Sequence, residues 1–190
     1  MPKRITLVGP NSSGKTSLVL RWTGKKIHAN KTMAIDCKSH SVNIDGHVQQ
    51  IQFWDCSGDD MYKKMLSNYI KNSDCVCIVF DLTDIKTWEH VPFWVEASQL
   101  EGNMPLFIIA NKVDLESSRK IKDKNIKTYL RSLRQRHTDI YYLEVSAKTG
   151  ENCRETFQLI VRESMRHEII EDPVYTSKDL KNDTSSCTIV

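Results

Sequence analysis

No stretch of this chain is apolar for long enough to span a membrane. Its longest apolar runs, residues 75–80 and 106–110, have the length of buried strands. The N-terminus lacks the apolar segment of a secretory leader. Neither sign of charge dominates: 27 Lys and Arg stand against 24 Asp and Glu, a net charge of +3, and no basic block argues for nucleic acid. No internal repeat is visible. The six cysteines, Cys37, Cys56, Cys75, Cys77, Cys153 and Cys187, are scattered, without a His or Cys partner at zinc-like spacing. They read as small hydrophobes of a reducing cytosol, which predicts a cytoplasmic protein.

What remains is ordinary for a soluble globular chain: 39% apolar and 27% charged over 190 residues, enough for one domain with a full core and a tail. One stretch organises it. The apolar run Ile5-Thr6-Leu7-Val8 leads into Gly9-Pro10-Asn11-Ser12-Ser13-Gly14-Lys15-Thr16, and the amphipathic stretch from Ser17 to Trp22 follows. Strand, glycine-bounded loop and helix are the context in which G-x-x-x-x-G-K-[S/T] means a phosphate site. The glycines let successive N–H groups converge on an anion. Lys15 adds a point charge, the Thr16 hydroxyl is placed for Mg²⁺, and the helix dipole adds positive potential.

Further along, residues 35–39 and 42–44 alternate, Asp45-Gly46 signals a hairpin turn, and residues 48–53 alternate again. Helix is expected from about residue 60 to 71, then strand at 75–80, helix at 86–100, strand at 106–110, helix at 122–136, strand at 140–144 and helix at 152–170. Strands alternating with helices imply right-handed crossovers. The expected fold is α/β: a three-layer sandwich with six mostly parallel strands, one antiparallel edge strand and about five helices. The domain is placed at residues 1–170. Residues 171–190, poor in apolar side chains, read as a flexible tail.

Three motifs narrow the phosphate site. Asn111-Lys112-Val113-Asp114 follows an apolar strand, at the carboxyl edge where open α/β sheets bind ligands. A carboxylate at Asp114 accepts from both N1–H and the exocyclic amine of guanine, and adenine presents neither donor there. Ser146-Ala147-Lys148 ends the next strand, where its backbone N–H groups could meet the guanine O6. Asp55-Cys56-Ser57-Gly58 ends the strand before it, where Asp55 can hold Mg²⁺ through water and Gly58 can donate to a γ-phosphate. Thr32 is the candidate second hydroxyl on the metal. Ser17 completes the phosphate-binding set.

In this order the motifs resemble those of a Ras-superfamily small GTPase over roughly residues 3–170. The chain is most similar to the Rab branch, through Thr32-Met33-Ala34-Ile35-Asp36, Ile51-Gln52-Phe53-Trp54-Asp55, Ser67-Asn68-Tyr69-Ile70-Lys71 and Val79-Phe80-Asp81-Leu82-Thr83-Asp84. The resemblance implies a monomeric GTP/GDP switch with Mg²⁺ as cofactor. Effectors, exchange factors and activating proteins would meet it near residues 23–37 and 56–71. It implies catalytic roles for Lys15, Gly58 and residue 59, and a place in vesicle traffic or signalling. Four departures stand out. Asp59 replaces the usual water-positioning Gln, so slow hydrolysis is expected. Asn11 and Ser12 replace small loop residues. The segment from Thr16 to Thr32 is about two residues short, with Ile27 near the usual aromatic. Cys56-Ser57 replaces Thr-Ala.

Two rivals remain at this level: a GTP-bound scaffold in which Asp59 abolishes turnover, and a P-loop kinase of a small molecule. The kinase would need an acceptor-binding lid, and no Arg-rich segment offers one. Cys187-Thr188-Ile189-Val190 fits a prenylation box, and its last three residues would equally suit a carboxylate-capturing pocket. Residues 171–190 carry four carboxylates (Glu171, Asp172, Asp179, Asp183) against Lys178 and Lys181, a net of −2. One lipid on Cys187 would therefore give only weak attachment to the cytoplasmic face of a membrane.

Overall fold

The structure is a computed structural model that describes residues 1–27, 32–44, 46–99 and 104–169, without the side chains of residues 60, 63, 64, 99 and 167–169. Asp45 of the expected hairpin turn, the proposed tail and Cys187 lie outside the described residues.

Six strands form one sheet in the order β2-β3-β1-β4-β5-β6. They are β1 (Lys3–Val8), β2 (Ile35–Ile44), β3 (His47–Cys56), β4 (Cys75–Asp81), β5 (Leu106–Asn111) and β6 (Ile140–Val145). Only β2 and β3 pair antiparallel; every other neighbouring pair is parallel. The inner strands β4 and β5 are buried along their whole length, which is why they read as unbroken apolar runs. Along β4, Cys75, Cys77 and Val79 face one core while Val76, Ile78 and Phe80 face the other. Strand periodicity divides the core in two without any change of composition.

The helices are α1 (Lys15–Trp22), α2 (Lys63–Lys71), α3 (Ile85–Glu89), α4 (Val91–Gln99), α5 (Asp123–Arg134) and α6 (Cys153–Ile169). Trp22 of α1 and Phe157 of α6 stack at 5.8 Å over one face of the sheet, with Phe53 against both. Leu66, Trp94 and Ile126, from α2, α4 and α5, cover the other face. Short 3-10 turns precede α2 (Asp60–Tyr62) and follow β5 (Val113–Ser118).

The single helix expected over residues 86–100 is divided at His90 into α3 and α4. Pro92 has no N–H to give Trp88, and its ring crowds that carbonyl. Asp84 caps the first piece by accepting from the Lys86 N–H at 3.1 Å.

Parallel register brings the site segments to one edge. Leu7 lies beside Asp55, Val8 beside Ile78, Asp81 beside Asn111 and Asn111 beside Val145. The loops after β1, β3, β5 and β6 therefore open at the same carboxyl end, where the strand order runs outward from β1 in both directions.

Candidate functional site

The loop from Gly9 to Gly14 turns tightly because its glycines occupy positive φ, 137° at Gly9 and 98° at Gly14. A side chain at Gly9 would press into the Val79 carbonyl, and one at Gly14 into the Asn111 amide. Both contacts come from the strands beyond β1, so the sheet itself imposes these glycines. Ser13 closes the turn by donating Oγ–H to the Pro10 carbonyl at 2.9 Å. The loop then delivers the N-terminus of α1 to an open cleft of about 1030 Å³.

Lys15 is buried, and its ammonium donates to the carbonyls of Gly9 and Pro10, each at 2.8 Å. Burial lowers its pKa to about 8, against the opposing pull of Asp55. A phosphate arriving in the cleft would supply the counter-charge that the protein alone does not.

Asp55, at the end of β3, is fully buried. Its Oδ2 accepts from Thr32 Oγ1 at 3.2 Å, and the hydroxyls of Thr32 and Thr16 lie 2.8 Å apart. Its Oδ1 has no hydrogen-bond partner among the described residues. Burial raises the Asp55 pKa, while hydrogen bonds from Thr16 and Thr32 and the charge of Lys15 lower it. One carboxylate with an orphaned oxygen beside two hydroxyls is a sparse set of hard oxygen donors. It fits Mg²⁺, which keeps several waters and takes its other ligands from phosphates. Thr16, Thr32 and Asp55, the three residues named from the sequence as metal candidates, lie within hydrogen-bond reach of one another.

The far end of the cleft is assembled from two loops. Asn111 is buried, and its side chain joins three segments. Its amide donates to the Ser13 carbonyl at 2.9 Å, and its oxygen accepts from the N–H groups of Lys112 at 2.8 Å and Ala147 at 3.1 Å. Asn111 therefore serves chiefly as a tie between the Gly9–Gly14 loop and the loops after β5 and β6. Lys112 takes a left-handed conformation and pairs with Asp81 at 2.5 Å. Asp114 lines the cleft, oriented by Ser146 Oγ–H at 2.6 Å. The N–H of Ser146 is bonded to the Glu151 carbonyl and that of Ala147 to Asn111. Of the three expected donors, the Lys148 N–H alone makes no protein hydrogen bond among the described residues.

Gly9, Pro10, Ser13, Asp55 and Ser146 stand behind the cleft wall, while Asn11, Ser12, Gly14, Ser17 and Gly58 line it. Asp59 does neither. It borders a smaller cleft of about 310 Å³ with Asp84, Lys86 and His90, and its Oδ1 accepts from the Met61 N–H at 3.3 Å. Asn11 and Gly58 separate the two clefts and line both.

Two contributors escaped the sequence reading. Arg21 of α1 donates Nε–H to the Ala147 carbonyl at 2.8 Å and also bonds the Lys148 carbonyl, fastening the β6 loop to α1. The signal was a lone cation in the apolar stretch Leu18-Val19-Leu20-Arg21-Trp22. Asp81 anchors Lys112 and accepts from the Thr83 N–H at 2.8 Å. A carboxylate ending the wholly buried strand β4 was its signal.

Comparison with known families and proteins places this geometry in context. The Ras family matches residues 4–166. The chain is 28% identical to the Ypt/Rab-type GTPase Rab7 of Gibberella zeae, over 97% of this chain and 95% of that protein. It is 27% identical to the Ras-related protein RABG3f of Arabidopsis thaliana, over 86% and 82% of the two chains. It is 26% identical to the Ras-related protein Rab7 of Cenchrus ciliaris, over 89% and 85%.

Proposed function

This chain belongs to the Ras family, and from that premise we propose that its larger cleft binds GTP and GDP and that the protein is a slowly hydrolysing switch. The observation that carries the reading is Asp114, held by Ser146 at the opposite end of the cleft from Lys15. With Oδ1 occupied by the Ser146 hydroxyl, the carboxylate still presents acceptor positions to the two donors of guanine. An adenine there would leave it unmatched in a part-buried site, which is unfavourable.

The division of labour follows from the residues. The α1 N-terminus and the backbone of the Gly9–Gly14 loop receive the phosphates, and Lys15 moves from two carbonyls to the anion. Thr16, Thr32 and Asp55 would hold Mg²⁺, which supplies charge neutralisation at the phosphates when bound. Gly58, between the clefts, would offer its N–H to the terminal phosphate.

Hydrolysis is slow in this reading because Asp59 is poorly suited to position water. Its carboxylate is shorter than a Gln side chain and cannot donate while ionised. It also brings negative charge towards an anion, and it sits in the smaller cleft bonded to Met61. Such a switch would act on partner proteins through residues near 23–37 and 56–71, with a role in vesicle traffic suggested by the Rab7 relatives. The same placement of Asp59 favours the scaffold as second reading.

The test is chromatography of the nucleotide released when freshly purified protein is denatured. GDP as the main species supports a cycling enzyme, and GTP supports the scaffold. Adenine nucleotides in the cleft would overturn the guanine reading.

A further inference from the structure

The larger cleft carries more positive charge than a guanosine phosphate requires. Among the described residues six cations line it, Lys15, Arg21, Lys25, Lys26, Lys112 and Lys148, against one carboxylate, Asp114. All the negative charge of GDP or GTP lies on the 5′-phosphates, which Lys15 and the start of α1 are placed to receive. The base and ribose are neutral.

Two of the remaining five cations have protein partners. Lys112 is neutralised by Asp81. Among the described residues Arg21 bonds carbonyl oxygens, of Ala147 and Lys148, and pairs with no carboxylate, so its position is fixed without its charge being balanced there. Lys25, Lys26 and Lys148 are exposed and make no ion pair among the described residues. Their gathering is built into the fold. Arg21 holds the Ala147–Lys148 loop to α1, and the Lys25 N–H bonds the Leu20 carbonyl at 2.8 Å as the chain leaves that helix. Like charges brought together in this way repel one another unless an anion lies between them.

We infer that this cleft takes guanine nucleotides bearing a further phosphate or diphosphate on the ribose, received by Lys25 and Lys26. The inference rests on the guanine reading above and names a substrate class within it. The ribose would lie between a base held by Asp114 and phosphates held by Lys15, and its hydroxyls are positions from which a nucleotide could direct a second anionic group at lysines lining the same cleft. Each ammonium has three donors for phosphate oxygens.

A diffuse positive field would also attract anions, but without regard to where on the nucleotide the charge sits. Competition against a fluorescent GDP analogue separates the two, using GDP, guanosine 5′-tetraphosphate and guanosine 5′-diphosphate 3′-diphosphate in one Mg²⁺ buffer. The last two carry the same number of phosphates. The 3′-substituted nucleotide is expected to bind about tenfold tighter than GDP and tighter than the 5′-tetraphosphate. In the Lys25→Gln, Lys26→Gln double variant, its affinity relative to GDP should fall to about one. A 3′-substituted nucleotide no tighter than the 5′-tetraphosphate overturns the inference, as does an advantage that survives the double variant. Failure of GDP itself to bind overturns the guanine reading, and this inference with it.

Discussion

The two ends of the cleft, which the proposed function assigns to phosphates and to the base, are built on different principles. The phosphate end comes almost entirely from one contiguous segment, Gly9 to Ser17, whose backbone does most of the work. The base end is assembled from Asn111–Asp114 and Ser146–Lys148, joined by side chains: Asn111 to Ser13 and Ala147, Ser146 to Asp114, Arg21 to two carbonyls. A contiguous backbone site tolerates side-chain change outside its glycines and Lys15. An assembled site depends on each tie.

The largest effect should come from the one indispensable side chain of the contiguous end. Lys15→Met should weaken GDP and GTP alike by about a thousandfold, since it removes a charged donor from a buried anion site. The same variant reports a pH effect. The Lys15 pKa in the ligand-free fold is about 8, below its ordinary 10.5. The unfolded chain therefore binds more protons between pH 8 and 10.5, so stability of the ligand-free protein should rise across that window. Urea unfolding at several pH values should show the rise in wild type and lose it in Lys15→Met.

Next is the tie between the ends. Asn111→Ala leaves the Ser13 carbonyl and the Lys112 and Ala147 N–H groups without their partner, a loss of about 3 kcal/mol in the urea unfolding free energy. Retained stability would mean that the two ends hold their places independently.

Within the assembled end, Asp114→Asn should weaken guanine nucleotides about fiftyfold and improve xanthine nucleotides, because the amide places a donor opposite the xanthine carbonyl. Competition binding with GDP and XDP reads both changes. Unaltered GDP binding would remove Asp114 from base recognition.

The smallest effect concerns the residue outside both ends. Asp59→Gln should speed single-turnover GTP hydrolysis about fivefold, since Gln can bridge water and phosphate but must first leave the smaller cleft. If the Gln variant is no faster, Asp59 does not limit the site.

The same contrast separates what could be read from the sequence from what could not. The phosphate loop was legible because strand, turn and helix occupy consecutive residues. The inner strands were legible because burial on both faces makes apolar runs such as residues 75–80, and the β2–β3 hairpin because its residues alternate around a turn signal. Asn111 was legible as a motif member, but its bonds to residues 98 and 36 positions away depend on register between strands. The direction of Asp59 is set by a local bond to Met61, which competes with any pull towards the nucleotide. The division of α3 from α4 follows from Pro92, whose missing N–H breaks the ladder inside a stretch that is otherwise helical in pattern.

The position of β1 has a consequence for synthesis of the protein. Of the six strands, the one made first is the one that ends up in the middle of the sheet, between β3 and β4. Its hydrogen-bonding edges wait for residues 51–55 on one side and 75–78 on the other. The β2–β3 hairpin can form from neighbouring residues, whereas β1 cannot be completed until β4 has emerged. A nascent chain halted before then carries the phosphate loop on an unpaired apolar strand, a form suited to chaperone capture and not to nucleotide binding. The cleft is thus assembled late, after the loops at residues 111–114 and 146–148 have been made.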